Sequence, residues 1–93
     1  MRGWYIVQTK NSEEFLADFN LRNQDFVTFL PKIIKKEARF NKVKKITKPL
    51  FPGYIFILVD NLTKHWLKVN YTRGVKKILT IGNSFVPIPK III

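Results

Sequence analysis

The sequence predicts an α+β domain with one antiparallel four-stranded sheet, helices chiefly on one face of it and a protruding basic β-hairpin. Three observations support this fold class. The segments follow one another in the order β-α-β-hairpin-β-α-β. One strongly apolar run, Tyr54–Val59, stands between regions rich in charge. The 93 residues suit a single domain with a modest core.

The run Tyr54–Val59 predicts the central strand, because it is rich in β-branched and aromatic residues and too short to span a membrane. Pro49 and Pro52 precede it and have no N–H to donate, so pairing should begin at about Gly53 or Tyr54. Alternation gives the strand two apolar faces: Tyr54, Phe56 and Leu58 on one, Ile55, Ile57 and Val59 on the other. One face can pack against helices, and the other needs more of this chain, another domain or a partner to cover it.

Three more strands are expected around the central one. Trp4–Thr9 has the residue types and length of a strand, which ends at Lys10. A strand at about Phe26–Leu30 should stop at Pro31, since proline cannot continue the ladder. The end of the chain is expected to form a strand, a turn and an extended exit: Lys77–Ile81, Gly82–Ser84 and Phe85–Pro89.

The first helix is expected to run from Ser12 to near Asn23. Asn11 and Glu14 have the spacing of a capping box, and acids in the first turn suit the helix dipole. The helix should bury some of its apolar side chains: Phe15, Leu16, Phe19 and Leu21.

A second helix is expected over Asn61–Asn70, with Asp60 or Asn61 as the N-cap. Its apolar residues are spaced as one buried stripe: Leu62, Trp66 and Val69. A turn over Tyr71–Val75 should follow it.

The segment Lys32–Lys48 differs in character from the rest. It holds eight basic residues against one acid, Glu37; the basic residues are Lys32, Lys35, Lys36, Arg39, Lys42, Lys44, Lys45 and Lys48. Enough β-formers lie between them for two short strands that turn near Phe40–Lys42. We interpret the segment as a basic hairpin arm, and the alternative is a solvated lysine-rich loop without a partner.

The overall composition points to a polyanionic partner. The formal net charge is +11, which on so small a chain favours nucleic acid before membrane, although solubility alone is the alternative. Cysteine is absent, which excludes disulfides and thiolate metal sites and fits a reducing cytoplasm. No run approaches about 18 apolar residues, so neither a signal peptide nor a membrane helix is expected.

Catalytic chemistry is poorly represented in the sequence. His65 is the one histidine, with no second ligand or nucleophile nearby in the chain, so a surface or packing role is expected. The four glycines are isolated and form no phosphate-binding loop. Capping and helix-dipole roles suffice for Glu13, Glu14 and Asp18. The sequence therefore predicts neither an enzyme nor a cofactor.

Several motifs resemble the N-terminal domain of the NusG family of transcription elongation factors, over essentially the whole chain. They are Trp4–Gln8, Pro49–Phe56, Thr72–Val75 and the exit from Gly82 to Pro87. Within the family, Pro49–Pro52 and Thr72–Val75 are most similar to the RfaH-like antiterminators. His65–Lys68 instead resembles the general factor, and Gln8 stands where RfaH has an aromatic residue.

The resemblance implies a bacterial, cytoplasmic factor associated with the nucleoid. Its apolar sheet face would bind the clamp helices of the largest subunit of RNA polymerase, through Phe51, Pro52, Tyr54 and Phe56. It would contact the non-template strand through Lys10, Gln24, Thr72 and Arg73. We expect the arm, with Lys42, Lys44 and Lys45, to lie along upstream duplex DNA by charge.

Other hypotheses stay open at this point. The chain could be an RNA-binding module that stacks bases on its sheet, as RRM domains do, or a ribosome-associated protein that uses the arm on rRNA. For Thr72–Gly74 the alternative is a plain turn. The family normally adds a C-terminal KOW domain, which is absent here, and the terminal Ile91–Ile93 suggests a fragment, with a standalone domain as the alternative.

Overall fold

The computed structural model describes residues 3–82, 84–85 and 87–88. The first half contains β1 (Gly3–Thr9), α1 (Glu14–Asn23), β2 (Val27–Phe29), β3 (Lys32–Arg39) and β4 (Lys42–Pro49). The second half contains β5 (Tyr54–Val59), α2 (Leu62–Asn70), β6 (Val75–Ile78), β7 (Thr80–Ile81), β8 (Ser84–Phe85) and β9 (Pro87–Ile88). The expected α+β class is confirmed.

The main sheet has the order β2-β5-β1-β6, and every pairing in it is antiparallel. As expected, β5 is central and begins at Tyr54. A fifth strand, β9, pairs with β1 through Trp4 and Tyr5, beyond the stretch of β1 that β6 occupies. The exit expected at Phe85–Pro89 thus contributes to the sheet, while Asn83, Val86 and Pro89 lie outside the described residues.

Both helices pack on the same face of the sheet. The core between the layers consists of Val7, Ala17, Leu21, Leu30, Ile55, Ile57, Val59, Leu62, Val69, Val75 and Ile78. The alternation expected in β5 is confirmed, because Ile55, Ile57 and Val59 are buried. The opposite face of β5 has no covering layer among the described residues, so its aromatic side chains remain accessible.

Helix α1 corrects the sequence analysis at its start, and of the four apolar residues of which some were expected to be buried, Leu21 is fully buried. The capping box is wrong: Ser12 has a positive φ of 60°, Glu13 is the N-cap residue and makes no side-chain cap bond. The helix buries Glu14, Ala17 and Leu21, whereas Phe19 is 62% exposed and Phe15 is also exposed. The reason is geometric: residues 15 and 19 lie on the opposite side of the helix from residues 14, 17 and 21.

The side chains of α1 also make more than the expected dipole interactions. The Thr28 hydroxyl donates to Asp18 Oδ1 and accepts from Arg22 Nε at 2.8 Å. Arg22 Nε also lies 3.3 Å from Asp18 Oδ2. These contacts tie α1 to the edge strand β2, so Asp18 has a tertiary role that its position on the helix does not reveal.

Helix α2 agrees closely with the helix expected over Asn61–Asn70. Asn61 is the N-cap, and its side chain accepts from the Lys64 N–H at 3.3 Å. Leu62 and Val69 are buried, and Trp66 packs against the core. The strand expected over Lys77–Ile81 is different in the structure: β6 begins earlier, at Val75, and is interrupted at Leu79 before β7. Asn70 Oδ1 accepts from the Ile78 N–H at 2.9 Å, which joins α2 to β6.

The arm is a separate two-stranded sheet, β3 and β4, in register from Lys32 with Pro49 to Arg39 with Lys42. Eight residues at about 3.4 Å each give each strand a length of roughly 27 Å. The molecule measures 51 × 28 × 25 Å, as expected for an arm that projects from a small body. The Leu50 N–H donates to the Pro31 carbonyl at 2.8 Å and closes the arm at its base.

Candidate functional site: an apolar sheet face, a polar turn and a basic arm

The open face of the main sheet carries an aromatic cluster around Phe56. Across three strands, Phe29 and Ile6 are the register partners of Phe56 on either side. The Phe29 and Phe56 rings stack with centroids 6.0 Å apart, and Phe51 meets Phe56 edge-on at 6.2 Å. These contacts orient the rings while leaving Phe51 and Tyr54 48% and 38% exposed.

A groove of about 520 Å³ runs across this face. It is lined by Ile6, Phe51, Tyr54, Phe56, Leu79 and Ile88. Tyr54 is positioned beside Gln8, whose Nε2 lies 3.5 Å from the tyrosine hydroxyl. Three of the four residues expected to bind a protein partner therefore line one groove, and the fourth, Pro52, is exposed beside Phe51. We call this groove with Pro52 and Phe29 the apolar face.

Glu14 holds the turn that presents Phe51 and Pro52. Its carboxylate, although buried, accepts from the Gly53 N–H at 2.8 Å. The Gly53 carbonyl accepts from the Thr9 N–H at 2.9 Å, and the Phe51 carbonyl accepts from the Tyr54 N–H at 3.1 Å. Gly53 has a φ of +86°, a conformation that favours glycine. The turn is thereby fixed to both α1 and β1.

Sequence reasoning missed Phe29, Val27 and Leu79 as members of the exposed apolar surface. Val27 and Phe29 alternate with the buried Thr28, so strand periodicity in Phe26–Leu30 was a usable signal for them. Leu79 carried no such signal. It follows the end of β6, where its N–H donates to the Ile6 carbonyl at 2.8 Å and brings it to the groove.

A second surface forms where the turn after α2 meets α1 and the end of β1. The Lys10 N–H donates to the Gly74 carbonyl at 2.9 Å. Gln24 Nε2 donates to the Thr72 hydroxyl at 2.7 Å. The structure thus brings together the four residues expected to contact single-stranded DNA: Lys10, Gln24, Thr72 and Arg73. We call them the polar turn cluster.

The side chains of this cluster differ in how accessible they are to a ligand. Thr72 is only 6% exposed, and its hydroxyl donates to the Lys68 carbonyl at 2.7 Å while accepting from Gln24. Lys10 and Arg73 are exposed, and neither forms an ion pair within the described part of the chain. The two cations are therefore the accessible groups, and Thr72 and Gln24 brace the turn beneath them.

Asn20 also supports the cluster and was not found from the sequence. Its Nδ2 donates to the Arg73 carbonyl at 3.1 Å and fixes the backbone that carries the guanidinium. Asn20 and Arg73 are 53 positions apart, so no local pattern connects them.

The two faces of the arm carry different groups. The register places Ile33, Lys35, Glu37, Arg39, Lys42, Lys44, Ile46 and Lys48 on one face, and Lys32, Ile34, Lys36, Ala38, Val43, Lys45, Thr47 and Pro49 on the other. Glu37 pairs with Lys48 at 3.2 Å. Lys42 and Lys44 therefore lie on one face, which has five basic residues and which we call the basic face, whereas Lys45 lies on the opposite one with Lys32 and Lys36.

His65 has the packing contact expected of it. Its ring meets Phe26 edge-on at 5.9 Å, and Lys68 Nζ lies 5.9 Å from the centre of the Phe26 ring. Within the described residues, no group of three or more His, Asp or Glu side chains is arranged to hold a metal ion. None of the helices described here is long and apolar enough to cross a membrane.

The family model and the relatives that match this chain all belong to one protein family. Residues 2–93 match the family model described as "Transcription termination factor nusG". The transcription termination/antitermination protein NusG of Staphylococcus carnosus is 31% identical over 81 residues, and that of Staphylococcus epidermidis is 30% identical. Each alignment covers 77% of this chain and 44% of the relative, so the chain spans less than half the length of these proteins.

The architecture has a solved counterpart as well. A structure described as "Domain interaction in Thermotoga maritima NusG" aligns with a TM-score of 0.60, over 96% of this chain and 51% of that one. The sequence identity is 18%, so this likeness concerns the fold alone.

Proposed function

Since the chain belongs to the NusG family of transcription termination and antitermination factors, we propose that it binds RNA polymerase through its apolar face and contacts DNA through the polar turn cluster and the arm. The polymerase site is the clamp helices of the largest subunit, and the DNA contacts are to the non-template strand and the upstream duplex. Acting together, these contacts suppress pausing. The proposal places the protein in the bacterial cytoplasm, at the nucleoid.

The apolar face is the observation that supports this function best. Phe51, Tyr54 and Phe56 surround a groove that helices cannot cover, because both helices pack on the other side of the sheet. An exposed apolar groove of this kind marks a protein interaction site. Clamp helices would fill it as a helical partner fills an apolar groove, with the aromatic rings as anchors.

The DNA contacts are supported by charge and position. Lys10, which follows β1, and Arg73, in the turn after α2, lie on segments joined by the bond from the Lys10 N–H to the Gly74 carbonyl. Arg73 can stack on an unpaired base there, and Lys10 can bind its phosphate. Direct contacts from Gln24 and Thr72 to bases would require them to exchange their internal hydrogen bond for one to DNA. The arm supplies phosphate contacts without reading sequence.

Binding to purified RNA polymerase in the absence of nucleic acid tests the proposal. Tyr54→Asp places a charge in the groove and should weaken binding by about 30-fold or more, corresponding to about 2 kcal/mol for a central anchor. Phe19→Asp is the matched control, because Phe19 is an exposed aromatic residue on α1, away from the apolar face. Unchanged binding by Tyr54→Asp, with an unchanged circular dichroism spectrum, would assign the polymerase site to another surface.

The same experiment distinguishes the alternative hypothesis of an RNA-binding or ribosome-associated domain. Such a domain would bind RNA through its sheet aromatics and would show no affinity for polymerase free of nucleic acid. Failure of the wild-type chain to bind polymerase, together with RNA binding that Tyr54→Asp abolishes, would favour that alternative.

A second candidate is the specialised role of the RfaH-like antiterminators, which are recruited by particular DNA sequences. The polar turn cluster is the observation that favours it, because the exposed Arg73 guanidinium, which can stack on an unpaired base, stands beside Lys10 and the bonded pair of Gln24 and Thr72. A general factor needs only phosphate contacts at this place. Sequence-dependent recruitment to halted elongation complexes separates the two roles.

A further inference from the structure

The tip of the arm holds an aromatic residue, Phe40, where both solvent exposure and the backbone conformation are unfavourable for it. The Phe40 side chain is 91% exposed. Its φ is 53°, and Asn41 follows with a φ of 63°, so both residues of the turn are left-handed. Such turns favour Asn, Asp or Gly, because other side chains are strained there. Residues that break a local rule in this way are found mainly at functional sites.

The surroundings of Phe40 are strongly cationic. Arg39 and Lys42 face each other across the ladder next to the turn, and Lys44 follows on the same face. A shallow groove of about 420 Å³ at the tip is lined by Arg39, Phe40, Lys42, Val43 and Lys44. The one acid of the arm, Glu37, already pairs with Lys48. The positive charge at the tip is therefore uncompensated.

Charge and shape together favour duplex DNA as the occupant. A polyanion satisfies the cations. The exposed apolar groups of the groove are one flat ring, Phe40, and one small side chain, Val43. So small an apolar area suits a base step better than a lipid surface, which takes up a broad apolar face. Apolar side chains, phenylalanine among them, enter DNA as wedges that unstack one base step and kink the duplex.

We propose that Phe40 is such a wedge, and that it inserts between adjacent base pairs when the arm binds duplex DNA. The inference rests on the proposed contact between the arm and upstream DNA and adds a distortion of the duplex to it. Arg39 and Lys42 hold phosphates beside the inserted ring. The wedge favours pyrimidine–purine steps, because these are the easiest to unstack.

The test uses the 93-residue chain and a short duplex with 2-aminopurine at a central TA step. Stacking quenches this base, so saturation with the wild type should raise its fluorescence several-fold. Phe40→Asn should abolish the rise, because asparagine suits the left-handed turn but cannot wedge. Its affinity should fall by less than about fivefold and its salt dependence should stay, since phosphate contacts dominate binding. Phe19→Asn, an exposed aromatic residue outside the arm, should behave as the wild type.

Each contrary result has a distinct meaning. An equal rise with Phe40→Asn would overturn the wedge and leave the arm's phosphate contacts standing. If the wild type fails to bind the duplex at low salt, the wedge and the proposed arm contact both fall, while polymerase binding through the apolar face is unaffected. Binding to phosphatidylglycerol vesicles that requires Phe40, with no fluorescence change in the duplex, would replace DNA by a lipid surface.

Discussion

Gly74 lies directly against the backbone of α1 at Ala17. A β-carbon built on Gly74 would come within 2.8 Å of the Ala17 nitrogen and 3.0 Å of its α-carbon. The Gly74 carbonyl also accepts from the Lys10 N–H. This close approach lets one turn join α1 to the end of β1, and it places the polar turn cluster on a rigid support.

We expect Gly74→Ala to destabilise the protein strongly. The new methyl group would clash with backbone atoms of Ala17, which cannot shift without moving helix α1. The φ of +96° adds strain of about 1–3 kcal/mol. Urea unfolding measures the change. Gly53→Ala is the control, since its φ is +86° but nothing lies within 4 Å of the added carbon. Equal losses in the two variants would show that the contact with Ala17 contributes nothing.

Glu14→Ala should destabilise the fold and loosen the turn before β5. The partly buried Gly53 N–H would lose its charged acceptor, which costs about 1–3 kcal/mol. Glu13→Ala should have little effect, because the Glu13 side chain makes no cap bond. Denaturant midpoints and hydrogen exchange at Gly53 provide the measurements. Unaltered exchange at Gly53 in Glu14→Ala would contradict the assigned contact.

Two pairs of lysines test which face of the arm lies on DNA. Lys42→Gln with Lys44→Gln removes two charges from the basic face, and Lys36→Gln with Lys45→Gln removes two from the opposite face. Each lost phosphate contact lowers the slope of log K against log salt by about 0.9. We expect a fall of about 1.8 for the first pair and a smaller one for the second, at all duplex sequences. Equal falls of the slope for the two pairs would show that the arm does not contact DNA through one face alone.

Arg73→Ala tests the specialised role. Elongation complexes halted at many bubble sequences should retain the wild type unequally, and the variant should lose that preference, since stacking on one base contributes about 1–3 kcal/mol. Asn20→Ala should act in the same direction but more weakly, because it frees the Arg73 carbonyl. Uniform retention of the wild type would leave a general elongation factor, with Arg73 as an ordinary turn residue.

Features that local patterns specify were predictable from the amino-acid sequence. Alternation in Tyr54–Val59 predicted the two faces of the central strand. Asp60 and Asn61 predicted the start of α2 to within one residue, and the change from apolar to basic residues predicted the arm with its turn near Phe40–Lys42. In each case the responsible interactions lie within a few residues of one another, or follow from the period of two along a strand.

Contacts between groups far apart in the chain became visible only in the folded structure. Glu14 was expected to cap α1, but its carboxylate accepts a hydrogen bond from the Gly53 N–H, 39 positions away. Gln24 donates to the Thr72 hydroxyl, 48 positions away. The apolar residues of α1 lie on more than one side of the helix, and the side that faces the core is the one with Ala17, against which Gly74 packs. Long-range contacts depend on how the strands are ordered and how closely the layers pack, and propensity and periodicity encode neither.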